Sequence, residues 1–191
     1  MLKTLSLLSI LSFTFSATAL ANSITEPDSF TVSSDDMHNG KFLNKSQEFN
    51  GFGCTGDDTS PQLKWTGAPE GTKSFAITAF DPDAPTGSGW WHWQIINIKA
   101  SVNEIKNGVG SNKKTLAPTG SQQMINDYGR QGFGGACPPA GHGVHHYRFT
   151  VHALSVETIN LPKDASGALT GYMINSNTIG TATLEALYKR D

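Results

Sequence analysis

Asp81-Pro82-Asp83-Ala84-Pro85 leads into Trp90-Trp91-His92-Trp93, and Gly134-Gly135-Ala136-Cys137-Pro138-Pro139-Ala140-Gly141 leads into His145-His146-Tyr147-Arg148-Phe149. Each stretch joins a rigid Pro/Gly turn to a β-branched or aromatic run of strand type. Each also sets carboxylates or imidazoles at the junction, where a sheet presents side chains beside a cleft. The two stretches therefore read as two walls of one site on a β scaffold.

Further runs of strand type cover residues 30–33, 62–65, 75–80, 91–98 and 145–154, separated by Gly, Pro and Asn/Asp clusters, as in an antiparallel sandwich. Twenty Gly and nine Pro favour such a turn-rich β architecture over a helical bundle. Residues 165–175 predict a helix, with Asp164 as N-cap and Ala168, Leu169, Tyr172 and Met173 at helical spacing; Gly167 and Gly171 weaken it. Residues 183–188 fit a short helix or a strand equally well. The polar stretch 107–123, with Lys113-Lys114, reads as an exposed loop. A length of 191 residues suits one compact domain. A formal charge of -2 with 14 Lys+Arg and no basic run argues against a nucleic-acid partner.

Residues 1–21 read as a cleaved signal peptide: Lys3 is the positive start, 5–15 the apolar stretch, and Ala19-Leu20-Ala21 the small-x-small cleavage site. The apolar stretch is shorter than the roughly 20 residues of a spanning helix, and no Cys follows it to carry a lipid. The mature chain is expected to start at Asn22, to hold one domain over 22–191 without a transmembrane segment, and to be periplasmic in a bacterium or secreted. Asn44-Lys45-Ser46 is a glycosylation acceptor only in a eukaryotic secretory pathway. Export bears on Cys54 and Cys137, the two cysteines of the chain. A lone pair in an oxidising compartment predicts a disulfide, a reactive thiol being the rival reading. The bridge would close a loop of about 83 residues, worth about 4 to 5 kcal/mol by chain entropy. It would also tie the Pro138-Pro139 loop to the loop at 51–58.

Strand alternation sorts the histidines. With 145–153 extended, His145, Tyr147, Phe149, Val151 and Ala153 share one face, while His146, Arg148, Thr150 and His152 share the other. A zinc site from His142, His145, His146 and His152 is disfavoured, because tetrahedral ligands must converge on one point. His92 fits either a hydrogen-bonded core imidazole or a pocket residue. Asp81 and Asp83 fit either turn caps or pocket groups, and as a pocket group Asp81 should face His92 or His145.

The D-P-D-A-P run with its downstream His, and P-P-x-G-x-x-x-H-x-Y entering a strand, resemble the two signature regions of the phosphatidylethanolamine-binding protein family, which includes the Raf kinase inhibitor proteins. The bacterial branch fits best, and the match runs from about Asp57 to the C-terminus. The resemblance implies a mostly β fold: an antiparallel Greek-key sandwich of two sheets with a few peripheral helices near the C-terminus. It implies a small near-surface pocket built from Asp81, Asp83, Ala84, Trp90, His92, Gly135, Pro138, Pro139, His145 and Tyr147. Such pockets take phosphorylethanolamine-like groups and simple anions, with no cofactor, no metal and no catalysis.

Imidazolium N–H, Tyr O–H and the backbone N–H groups of Gly134, Gly135 and Ala136 are suitable donors for a phosphate. Two departures narrow the transfer: Cys137 stands where Gly is usual, and Thr86-Gly87-Ser88-Gly89 is too short to bring an aromatic that some eukaryotic members carry. Two other functions fit the sequence. One is a protein-interaction or inhibitor role against a kinase-pathway or protease partner outside the producing cell. The other is a hydrolase using Asp81 or Asp83 with His92, for which no nucleophile elbow is present.

Overall fold

The computed structural model describes residues 29–111 and 117–191; the expected signal peptide and Lys113-Lys114 lie outside that range. In chain order come β1 (Thr31–Ser33), a 3-10 turn (Lys45–Gln47), β2 (Asn50–Gly51), β3 (Cys54–Thr55), β4 (Leu63–Thr66) and β5 (Ser74–Asp81). Then follow β6 (Trp90–Lys99), β7 (Glu104–Ile105), β8 (Gln122–Gln123), β9 (His145–Leu154), α1 (Gly167–Asn177) and β10 (Thr178–Tyr188). One sheet has the order β1-β4-β7, a larger one β10-β9-β5-β6-β8, and β2 pairs with β3 as a small hairpin. Within the larger sheet β9 returns to lie beside β5, so β9-β5-β6-β8 is a Greek-key order.

The sandwich interior holds Trp65, Phe75, Ile77, Trp93, Tyr147, Phe149, Val151 and Leu184. The opposite face of the large sheet is also covered, because Ala76, Ile96 and Leu154 pack against Ile174 of α1. β5 is therefore buried on both faces, which is why its sequence is a nearly unbroken apolar run.

Two bulges in β6 set its side-chain directions. Ala79 pairs with Trp93 and Phe80 with Trp91, leaving His92 as an extra residue. Trp90 and His92 thus face the same side as Trp93 and Ile95, which plain alternation forbids. Farther along, Asn97 adopts φ 62° and the register slips again, so Ile95 and Ile98 both reach the interior.

The C-terminal region departs from the expectations in three ways. One α-helix stands there among the described residues, where a few were expected. Its N-cap is Ser166, whose Oγ accepts from the Leu169 N–H at 3.2 Å, and not Asp164. The expected weakness at Gly167 and Gly171 has a packing reason, since a Cβ on Gly167 would lie 2.5 Å from the Trp91 ring. Residues 183–188 belong to strand β10, fixed by its full-length pairing with β9. The stretch 107–123 is less exposed than expected: Val109 is buried, β8 pairs with β6, and Gln123 Oε1 accepts from Trp93 Nε1 at 2.7 Å.

Candidate functional site

β5 ends, and β6 and β9 begin, at one edge of the sandwich, and each delivers a polar side chain there. Asp81 closes β5 opposite Trp90 of β6, and His145 opens β9. Asp81 Oδ1 accepts from the Asp83 N–H at 2.8 Å, folding Asp81-Pro82-Asp83 into a side-chain-capped turn. Its Oδ2 accepts from His145 Nδ1 at 2.7 Å. The two side chains are 3% and 1% exposed. A carboxylate so buried requires partners, and the bond places a proton on His145 Nδ1 and directs Nε2 the other way.

His92 links the two motifs. Its Nδ1 donates to the Gly134 carbonyl at 2.7 Å, and the Gly134 N–H returns a bond to the His92 carbonyl at 2.8 Å. Burial holds the imidazole below its ordinary pKa, against the opposing pull of the Gly134 carbonyl and the Asp81 carboxylate. The ring packs edge-on against Tyr147, centroids 5.1 Å apart. Burial first, and the Asp81 carboxylate second, push the Tyr147 phenol well above its ordinary range, so it stays an O–H donor. That hydroxyl is buried and makes no hydrogen bond of ordinary geometry, although the Asp81 carboxylate lies near it; Trp90 Nε1 is buried without a partner.

Asp81, Ala84, Trp90, His92, Pro138, Pro139, His145 and Tyr147 line one cavity of about 230 Å³. Two residues expected there do not line it. Gly135 lies behind the wall, where a Cβ would fall 2.4 Å from the Gln47 carbonyl oxygen; the position needs glycine for a close chain crossing. Asp83 faces outward and accepts from both the N–H and Nδ1 of His146, at 2.8 and 2.7 Å. Those bonds outweigh burial and leave the Asp83 carboxyl below its ordinary pKa.

The backbone donors expected from the Gly-rich loop are also committed. Gly134 N–H donates to His92, Gly135 N–H to Asp58 Oδ1 at 2.7 Å, and Ala136 N–H to the Gln47 carbonyl at 3.0 Å. These three N–H groups are therefore not available to a ligand.

The structure adds wall residues that the sequence reading omitted: Phe52, Pro85, Thr86 and Tyr128. Tyr128 lies in Asn126-Asp127-Tyr128-Gly129-Arg130, donates its O–H to the Gly135 carbonyl at 2.9 Å and stacks on Phe49 at 3.9 Å. An aromatic inside a turn cluster just ahead of the Gly-rich loop was the available signal. Phe52 is 71% exposed at the tip of the β2–β3 hairpin and forms a lip. Cys54 and Cys137 are joined as a disulfide, so the hairpin and the Pro138-Pro139 wall are one covalent unit. Cys137 itself borders the cavity.

Alternation sorted the β9 side chains correctly. His145 and Tyr147 are buried on the interior face, His146 meets Asp83 on the other, and His152 packs against Thr78 Oγ1 at 3.1 Å. Among the described residues no three His, Cys, Asp or Glu side chains are grouped to hold a metal ion, and no helix is long and apolar enough to cross a membrane.

Residues 33–189 match the family description "phosphatidylethanolamine-binding protein". The UPF0098 protein YbcL of Escherichia coli K12 is 50% identical over 189 residues, covering 98% of this chain and 99% of that protein. YbhB of the same organism is 43% identical over 155 residues, 81% of this chain and 97% of that protein. The crystal structure of E. coli YbcL superposes with a TM-score of 0.83 at 52% identity, covering 85% of this chain and 99% of that one. The bulged β6, the Asp81–His145 pair and the Pro-Pro wall are thus features of a chain that belongs to the phosphatidylethanolamine-binding protein family, among its UPF0098/YbcL-like bacterial members.

Proposed function

We propose that the protein is an exported, non-enzymatic binding protein whose cavity at Asp81, His92, His145 and Tyr147 captures a small phosphorylated or otherwise anionic ligand. The observation that carries this reading is the Tyr147 hydroxyl: a buried donor that makes no well-formed hydrogen bond within the protein, bordering a cavity. Leaving such a group unsatisfied costs about 1 to 3 kcal/mol, and a ligand oxygen in the cavity relieves that cost. Trp90 Nε1 supplies a second unfilled donor. His92 supplies charge on demand: its Nδ1 proton is engaged by Gly134, so protonation at Nε2 creates an imidazolium facing an anion. Thr86 Oγ1 is already bonded to the Gly89 carbonyl at 2.5 Å and Cys137 is oxidised, so neither wall residue favours a covalent reaction.

Inorganic phosphate titrated into the mature protein should bind in the high micromolar to millimolar range, about 4 to 6 kcal/mol for so small a ligand. Because burial keeps free His92 neutral at pH 7, bound anion must raise its pKa. Affinity should therefore climb as the pH drops below about 6.5, the unperturbed value. Tyr147→Phe should weaken binding about 2- to 12-fold, one ordinary hydrogen bond, while leaving the free protein as stable as wild type or more so. Equal phosphate affinity in Tyr147→Phe, or a fall in its unliganded stability, would sink the reading.

The export half of the proposal rests on Lys3, the apolar run and Ala19-Leu20-Ala21, and it accords with the disulfide. Intact mass of protein taken from its native compartment should correspond to a chain starting at Asn22. A mass that retains residues 5–15 rejects cleavage.

A further inference from the structure

His142 lies outside the set of cavity-lining residues, yet its Nδ1 sits 2.7 Å from His145 Nε2. The rings meet edge to face, centroids 5.0 Å apart. His145 Nδ1 is already given to Asp81, so Asp81, His145 and His142 form one line of bonds running from the buried carboxylate to an exposed imidazole. Every nitrogen of His145 is consequently engaged within the protein. The nitrogen that an anion needs is the one His142 covers.

The loop that carries His142 is built to let it go. Gly141 and Gly143 flank it at φ 73° and 98°, and nothing lies within 4 Å of where their Cβ atoms would be. Two left-handed glycines in open space leave the intervening residue free to reorient at little steric cost. The loop is anchored at its base, where the Gly141 N–H donates to the Arg190 carbonyl and the His142 N–H to the Pro139 carbonyl, both at 3.1 Å. The imidazole can therefore swing without moving the Pro-Pro wall.

We propose that His142 is a displaceable cap on His145: it occupies Nε2 in the empty site, and an oxyanion that carries its own proton, such as hydrogen phosphate, enters by donating its P–OH to the His145 Nε2 lone pair while His142 turns out to solvent. The inference rests on the anion reading of the cavity. It assigns His142 a part in selecting ligands. His145 Nδ1–H already donates to Asp81, so Nε2 presents a lone pair that His142 Nδ1–H fills, and a competitor must bring a proton of its own. Hydrogen phosphate meets that condition, since its remaining oxygens can still accept from the cavity; a carboxylate, which is acceptor only, does not. Among the charged groups near the cap, Asp81 holds His145 from behind, and Asp83 is occupied by His146. Neither carboxylate is free to take over the His142 proton.

The test uses the mature wild-type protein and His142→Ala, an exposed substitution that removes nothing from the core. Long-range proton–nitrogen NMR of the imidazoles at pH 7.5, without and with inorganic phosphate, reads the bond directly. In the wild type His145 Nε2 and His142 Nδ1 should show hydrogen-bonded shifts that phosphate abolishes for His142. In His142→Ala the His145 Nε2 signal should move without any ligand, and phosphate should bind about 2- to 12-fold tighter, the equivalent of one hydrogen bond no longer competing. Phosphate affinity unchanged or weakened in the variant, or a His142 Nδ1 shift that persists at saturation, overturns the cap. Failure of both proteins to bind phosphate at pH 5.5 as well overturns the anion reading instead. The cap contact is then judged on the imidazole signals alone, and identical His145 Nε2 shifts in the two proteins overturn it.

Discussion

Protein carrying Cys54→Ser with Cys137→Ser should unfold with about 4 to 5 kcal/mol less stability than oxidised wild type, because the covalent link that limits the unfolded chain is gone. Urea denaturation gives the difference as a shift in midpoint. The same variant should bind phosphate more weakly. The bridge joins the hairpin carrying Phe52 to the wall carrying Pro138 and Pro139, and both border the cavity. Reduced wild type should match the double serine variant in both respects. A loss below about 1 kcal/mol would show that the bridge closes a loop that other contacts already hold.

Acid should destabilise the fold through a residue remote from the cavity. His152 is buried between Thr78 Oγ1 and Thr178 Oγ1, and burial lowers its pKa to about 4. The unfolded chain binds that proton near pH 6.5, so the unfolded state gains protons first. The contribution of neutral His152 is complete above pH 6.5 and is lost as the pH falls from 6.5 to about 4. The total is about 3 kcal/mol at 1.36 kcal/mol for each pH unit. His152→Gln should remove that slope. Comparing stability against pH for the two proteins isolates His152 from the carboxylates, which contribute equally to both. Parallel curves between pH 6.5 and 4.5 would refute the assignment.

How much of this was legible beforehand depends on how local each signal is. Alternation along 145–153 is a backbone rule, so it separated His145 and Tyr147 from His146 and His152 without tertiary information. The Pro-bounded turns likewise announced the ends of β5 and the start of β9. The bulge at His92 was not legible, since it is defined by pairing with Ala79 and Phe80 rather than by residue type. Asp83 turned outward because His146 offers it two donors, a contact made across 63 positions of chain. The Gly134, Gly135 and Ala136 N–H groups are good anion ligands in isolation. They are spent because His92, Asp58 and Gln47 arrive from other parts of the chain. Asp164 and Ser166 are equally acceptable caps by composition, and the helix start chose between them.

The outer side of β10 shows how this fold limits strand pairing at a sheet edge. That strand is eleven residues long and ends the five-stranded sheet, the kind of open ladder on which foreign strands assemble. The segment 40–43 lies along it: Gly40 N–H donates to Glu185, Leu43 N–H to Leu187, and Leu187 N–H to Lys41, each at 2.8 Å. A stretch that forms no regular strand of its own thus serves as a stopper, filling the ladder toward its C-terminal end with irregular backbone that offers no template for a further copy.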